Sequence, residues 1–318
     1  MRLLFCGSGW LPLVDQIAAR LPAGTTIAIW DRRTPLTTAI AGVDVLLPSN
    51  APITREVIAA ATRLRLVQQP AAGIEQIDRA AAAARGVPIC NAPGANHVAV
   101  AEAALYLLLA LARRAPHAAR AFADRQVGAP AGIELAGRTL GVIGLGRSGT
   151  AVADRARALG MTVVSLGRAA SPADRAAFFA VCDAITIHCP LTPETRGLVD
   201  AAAFAAMRPG ALLVNVARGA VIDRGALVAA LAAGRLGGVG LDVHWEEPAD
   251  PGDPLYADPR VVALPHVGGS TAEAFGRLTD IVLENLRPSR PFVVREMTPS
   301  QARTPAASPA PSGTHLSS

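Results

Sequence analysis

The chain has 318 residues, enough for two domains that each bury a core, and its 51% hydrophobic content points to a globular α/β protein rather than a disordered one. All 30 basic residues are arginine against 25 acidic ones, and with no lysine present neither a Walker-type phosphate loop nor a Schiff-base lysine can operate. The arginines alternate with acids, no basic run occurs and aromatics make up only 4%, which argues against nucleic acid as a partner.

Met1 to Gly7 carries one charge and a short apolar run, the pattern of a first strand rather than of a signal peptide, so the expected location is the cytoplasm. Strand-like residues 2–6, 25–30, 43–47, 64–69 and 87–90 alternate with helical residues 11–21, 55–62 and 77–85, which predicts a small parallel sheet ahead of residue 97. A long helix over residues 97–117 then crosses to a second unit. Its apolar stretch, residues 98–112, is interrupted by Glu102 and too short to span a bilayer, so no membrane partner is expected. Residues 128–132 form a loop rich in Gly, Ala and Pro. Cys6, Cys90, Cys182 and Cys189 are scattered without C-x-x-C spacing, which predicts neither a disulfide framework nor a metal site.

Apolar residues 140–143 lead straight into Gly144-Leu145-Gly146-Arg147-Ser148-Gly149, followed by helical residues 150–159, Gly160 as a stop, and a second strand at 162–166. This is the context in which G-x-G-x-x-G binds a dinucleotide. Gly144 permits the tight turn, Gly146 lets backbone approach a pyrophosphate, and Gly149 lets the helix pack on the strand with its N–H groups toward the anion. Strands at 184–188, 211–216, 238–243 and 261–264 complete a doubly wound sheet, a last helix covers 271–286, and Pro291 to Val294 offers a return to the first unit. The tail from Thr298, dense in Pro, Ser, Ala and Thr, reads as disordered.

Three strand-end segments carry polar groups in apolar surroundings: Asn215 to Gly219, Leu241 to Pro248, and Leu264 to Gly269. Open parallel sheets bind ligands at that edge. An arginine, a carboxylate and a histidine there suit reduction of a 2-oxo acid. Arg218 can hold the carboxylate and polarise the carbonyl, His266 can donate the proton, and Glu247 can favour its imidazolium form. His244, three residues before Glu247, competes with His266 on residue type alone, and Glu246 adjoins Glu247. His97 and His117 receive no role. Trp10, in the loop after the first strand, is either a substrate contact or packing.

On the glycine fingerprint, His188-Cys189-Pro190-Leu191-Thr192-Pro193-Glu194-Thr195, Asn215-Val216-Ala217-Arg218-Gly219, Gly240-Leu241-Asp242-Val243 with Glu247-Pro248, and Pro265-His266, the chain resembles the D-isomer-specific 2-hydroxyacid dehydrogenases. That family includes glyoxylate/hydroxypyruvate reductases and phosphoglycerate dehydrogenases. The resemblance implies an α/β fold of two doubly wound parallel-sheet domains, a Rossmann cofactor domain and a smaller flavodoxin-like substrate domain. In those terms residues 1–97 bind substrate and are completed by about 287–297, residues 98–286 bind the dinucleotide, and 298–318 are the tail.

The same resemblance implies that Arg218 orients substrate, His266 is the acid/base and Glu247 its partner. Asp242 would contact the nicotinamide carboxamide, Arg147 and Ser148 the pyrophosphate, and Cys189, Pro190 and Thr195 the adenosine side, with Ala217 and Gly268 also at the cofactor. His188 would shape the adenosine pocket. Ala72-Gly73-Ile74-Glu75 matches the loop whose N–H groups receive the substrate carboxylate, so Ala72 and Gly73 count as substrate-binding, and Asn91-Ala92-Pro93-Gly94 leads into the crossing helix. A homodimer paired through the cofactor domains is implied as well. One departure concerns the acidic residue that closes the second strand and binds the ribose of NAD: Gly167 stands there, with Arg168 next. An arginine in place of a carboxylate favours NADP(H), while NAD(H) remains possible with Arg168 facing solvent. The expected activity is interconversion of a small 2-oxo acid and its D-2-hydroxy acid, acting on CH–OH. The alternatives are a non-catalytic nucleotide-sensing interaction protein of the same fold, or a phosphite- or formate-type dehydrogenase.

Overall fold

The computed structural model describes residues 1–287. Pro291 to Val294, the completing segment beyond residue 287 and the tail therefore lie outside the described residues. The first unit runs β1 (Arg2–Phe5), α1 (Leu11–Ala18), β2 (Thr26–Ile29), α2 (Leu36–Ala39), β3 (Val45–Leu47), α3 (Arg55–Ala60), β4 (Leu66–Gln68), α4 (Arg79–Ala84) and β5 (Ile89–Cys90). Its strands pair in parallel in the order β2-β1-β3-β4-β5.

The chain continues through α5 (His97–Ala112), α6 (Ala115–Ala123), β6 (Thr139–Ile143), α7 (Arg147–Ala158), β7 (Thr162–Leu166), α8 (Pro172–Val181), β8 (Ala184–Ile187), α9 (Ala201–Ala206), β9 (Ala211–Asn215), α10 (Arg224–Ala232), β10 (Leu236–Leu241), α11 (Pro254–Ala257), β11 (Val261–Ala263) and α12 (Ala272–Asn285). The second sheet is also parallel throughout, in the order β11-β10-β9-β8-β6-β7. Helices cover both of its faces, so its central strands β8 and β9 are unbroken buried runs rather than alternating ones. The fold is thus α/β with two doubly wound parallel sheets. The order reverses between β1 and β3 in one sheet and between β6 and β8 in the other, and the carboxyl ends beside such a reversal form the ligand crevice.

Two sequence readings need correction. The helix expected over 97–117 is broken at Arg114, which takes φ 52. Pro116 has no N–H to return to the Ala112 carbonyl, and that carbonyl instead accepts from Ile133 N–H at 2.8 Å. The second concerns α12, read as part of the cofactor unit. Its Phe275, Leu278 and Val282 bury against Leu3, Leu13, Ile17 and Val45 of the first unit. An amphipathic helix reveals that it has an apolar face, not which core receives it. Trp10 packs its ring on Phe275 at 5.9 Å, which decides its role in favour of packing. By contrast α5 buries Ala104, Leu107 and Leu111 with Leu140, Val142 and Val152 of the second unit.

Among the described residues no helix is long and apolar enough to cross a membrane, and no group of three or more His, Cys, Asp or Glu is placed to hold a metal ion. All four cysteines are buried and none forms a disulfide.

Candidate active site

The glycine turn lies where β6 delivers the chain to α7. Gly144 has φ 94, and a Cβ on it would stand 2.8 Å from the Cys189 amide nitrogen, so the position is closed to any side chain. Gly149 faces the Gly144 carbonyl so closely that a Cβ would collide with it, which seats α7 directly on the turn. Gly146 caps that helix with open space around it. The N–H groups of the first turn of α7 therefore face an approachable, positively polarised cradle, which fits the pyrophosphate of a dinucleotide. Beneath it His188 bridges Ser148 Oγ (3.1 Å) and Thr186 Oγ1 (3.0 Å). Burial pushes this imidazole down to about 4, so it is neutral and acts as a spacer rather than an acid.

Cys189 contributes backbone, its thiol raised to about 11 by burial. Thr195 closes its own loop, donating to the Pro190 carbonyl and accepting from Thr192 N–H, both at 2.7 Å. The Arg147 side chain crosses to the first unit, where a Cβ on Gly94 would stand 2.7 Å from its Cδ. Arg168 is exposed just beyond β7. Its charge reaches Glu194, whose carboxyl is held below the usual range first by the Thr192 hydroxyl and then by its own N–H and Arg168. Sequence reasoning gave Glu194 no part.

At the other side of the crevice, the ends of β9, β10 and β11 bring the polar segments together. Asn215 shapes the first: its Oδ1 accepts from Ala217 N–H (3.0 Å) and its Nδ2 donates to the Arg218 carbonyl (2.8 Å). Ala217 is buried, and its carbonyl takes Arg218 Nη1 at 2.7 Å. Gly219 then packs on the His244–Trp245 backbone with no room for a Cβ. Asp242, 2% exposed, accepts Val267 N–H on Oδ1 and Gly268 N–H on Oδ2, both at 2.8 Å. Burial raises this carboxyl against the pull of Gly268, His266 and Val267.

The clamp fixes the two residues after His266, which itself takes φ 56, a conformation costing on the order of 1–3 kcal/mol for a non-glycine residue. His266 Nδ1 meets Glu247 Oε2 at 2.7 Å, and Glu247 Oε1 accepts from His244 N–H at 3.2 Å. Burial works to raise the Glu247 carboxyl, but the hydrogen bond and charge of His266, with help from His244, bring it below its ordinary value. His244 is excluded as the acid. It is buried, its Nε2 donates to the Leu264 carbonyl (2.8 Å), and its Nδ1 accepts from the Tyr256 hydroxyl (2.8 Å). His266 differs: its Nδ1 is held by a carboxylate, and its opposite ring nitrogen has no partner among the described residues.

Gly73, in the loop after β4, meets this edge from the first unit, and Ala72 precedes it with its carbonyl held by Asn91 Nδ2 at 2.8 Å. Gly73 lies against the Arg218 guanidinium, and Glu75 Oε2 stands 3.5 Å from Arg218 Nη2. The sequence motifs include Glu75 and Asn215 with no function assigned to either, and Asn96 and Gln69 went unassigned as well. Asn96 Nδ2 crowds Gly269, and Gln69 Nε2 holds the Gly73 carbonyl at 2.8 Å. The signal available for Gln69 and Asn215 was a polar side chain ending an apolar strand.

Comparison with known proteins gives the family. The family model described as D-isomer specific 2-hydroxyacid dehydrogenase, NAD binding domain, matches residues 105–268, a little over half of the chain. The chain belongs to that family. The D-3-phosphoglycerate dehydrogenase of Mycobacterium tuberculosis is 39% identical over 300 residues, covering 87% of this chain and 56% of its own length. The chain thus spans about half the length of the curated relatives it matches. Among solved structures, the NAD-dependent formate dehydrogenase from Staphylococcus aureus in complex with NAD superposes with a TM-score of 0.79 at 29% identity, over 90% of this chain and 95% of its own. A glyoxylate reductase from Paecilomyes thermophila gives 0.75 at 29% identity, over 90% and 94%.

Proposed function

We propose that this member of the family is an NAD(P)(H)-dependent dehydrogenase that interconverts a small 2-oxo acid and its D-2-hydroxy acid. The observation that carries the reading is the 2.7 Å pair of His266 and Glu247 at the same carboxyl edge of the parallel sheet as Arg218 and the glycine turn after β6. A nicotinamide cofactor bound there supplies or accepts the hydride. In this reading the N–H groups of Ala72 and Gly73 bind the substrate carboxylate and the Arg218 guanidinium orients the carbonyl. His266 gives the carbonyl oxygen its proton from the ring nitrogen opposite the one held by Glu247. Cofactor contacts are assigned to Gly144, Gly146, Arg147, Ser148, Gly149, Cys189, Pro190, Thr195, Ala217, Asp242 and Gly268. Asp242 serves chiefly by holding the His266 loop, since both its oxygens already accept backbone N–H groups.

Arg168, exposed and without an acidic residue at Gly167, supports NADP(H) over NAD(H), with Glu194 as a partial counterweight. Exposed Phe122, Tyr106 and Leu109 on α5 and α6 support pairing of two copies through this unit. Glyoxylate and hydroxypyruvate are the first candidates, and the names of the relatives add 3-phosphoglycerate and formate. The test is a crossed panel of these acids and phosphite with both reduced or oxidised nicotinamides, scored as kcat/KM. Turnover of 2-oxo acids supports the proposal. Activity confined to formate or phosphite rejects the substrate class, and binding of nucleotide without any turnover favours the sensing protein.

A further inference from the structure

The loop after β4 is tied back at three successive carbonyls. Ala71 accepts from Ala92 N–H (2.9 Å), Ala72 from Asn91 Nδ2 (2.8 Å), and Gly73 from Gln69 Nε2 (2.8 Å), which also donates to the Ser49 carbonyl (3.0 Å). Across a planar trans peptide the N–H points opposite to the carbonyl. The N–H groups of Ala72, Gly73 and Ile74 are therefore turned away from the body of the first unit, and none of them donates to a group among the described residues. Successive free N–H groups of this kind make a concavity for an anion.

Arg218 closes that concavity from the second unit, its guanidinium lying against Gly73. One arm is held by the Ala217 carbonyl at 2.7 Å, and the other faces a carboxylate supplied by the chain itself: Glu75 Oε2, 3.5 Å from Arg218 Nη2 and also crowding Gly73. Both side chains are about one-third exposed, so the pair is weak and easily opened.

We propose that Glu75 is a specificity-determining residue, an internal carboxylate that holds the seat between Gly73 and Arg218 which the substrate's carboxylate must take. This rests on the proposed 2-oxo acid activity and adds to it the residue that sets substrate affinity. Displacing Glu75 uses part of the attraction that Arg218 offers, and the displaced charge stays close enough to repel the incoming anion. The contact keeps affinity for lone carboxylates low and reserves the seat for ligands that also engage His266 through a carbonyl.

The experiment measures the KM for the best 2-oxo acid and, by titration calorimetry with reduced cofactor present, the dissociation constant of oxamate. Removing a weak exposed ion pair corresponds to about a two- to fivefold change. Glu75→Ala is expected to lower both constants by that factor, with KM moving more than kcat. Glu75→Gln, which keeps the shape and drops the charge, moves both in the same direction. A merely structural role would weaken binding instead. Wild-type turnover combined with unchanged or weaker binding in both variants overturns the role of Glu75 alone. A wild type that neither turns over 2-oxo acids nor binds oxamate overturns the proposed function and this assignment with it.

Discussion

Replacing Asp242 by Asn tests whether the position of His266 is imposed by a buried carboxylate. The two side chains have the same shape, but Asn accepts one N–H on its oxygen and turns its NH2 group toward the other. Of the two 2.8 Å bonds to Val267 and Gly268, one is lost and a buried N–H is left facing a donor. A hydrogen bond to a charged group contributes about 1.5–3 kcal/mol. Against this, the substitution relieves the burial of a charge, which is what raises the Asp242 carboxyl in the wild type. The net expectation is a loss of about 2 kcal/mol.

At about 2–4 °C per kcal/mol in domains of this size, the unfolding midpoint falls by about 4 °C or more. The function falls further than the stability. His266 at φ 56 is held by these same bonds, and a ring displaced by about 1 Å costs on the order of a hundredfold in kcat. Thermal unfolding and steady-state kinetics on one preparation provide the assay. An Asp242→Asn protein with an unchanged midpoint and a raised cofactor KM alone would refute the clamp and leave Asp242 as a nicotinamide contact.

Other substitutions separate the remaining roles. His266→Asn should reduce turnover about a hundredfold or more while cofactor binding, followed by fluorescence, stays within a few-fold. Because reduction consumes a proton through His266, the reductive kcat/KM should fall as pH rises and the oxidative value should rise; parallel profiles would remove the acid/base assignment. Glu247 has a folded pKa below its unfolded value, so the stability it contributes is complete above the ordinary glutamate range and is lost as pH falls through its lowered value. Urea unfolding of wild type and Glu247→Gln should therefore differ at neutral pH and converge in acid, and a constant gap would contradict the linkage. Arg168→Ala should weaken NADPH by about tenfold or more and NADH little, whereas Glu194→Gln should strengthen NADPH; equal effects on both cofactors would reject contact with a 2′-phosphate.

Much of this organisation was legible because its determinants are local. The glycine turn needs only a strand before it and a helix after it, and both are written in apolar runs around residues 144–149. The segments at Arg218, Asp242 and His266 follow three apolar strands that are neighbours in the sheet, so strand order alone gathers them. What escaped the sequence depends on distant or competing partners. Glu75 and Arg218 lie 143 residues apart and meet only because two units face each other. The choice between His244 and His266 turned on Tyr256 and the Leu264 carbonyl, which consume both nitrogens of His244. The break at Arg114 follows from Pro116, but the Ile133 amide that takes over the freed carbonyl comes from beyond the intervening helix α6.

The central claim is that one cleft holds a 2-oxo acid between the first-unit loop, Arg218 and His266. A crystal structure with oxamate and cofactor bound tests it most directly. The account predicts the oxamate carboxylate on the N–H groups of Ala72 to Ile74, and its carbonyl oxygen within hydrogen-bond distance of His266 Nε2 and the Arg218 guanidinium. Oxamate seated away from Arg218, or with its carbonyl turned from His266, would contradict it.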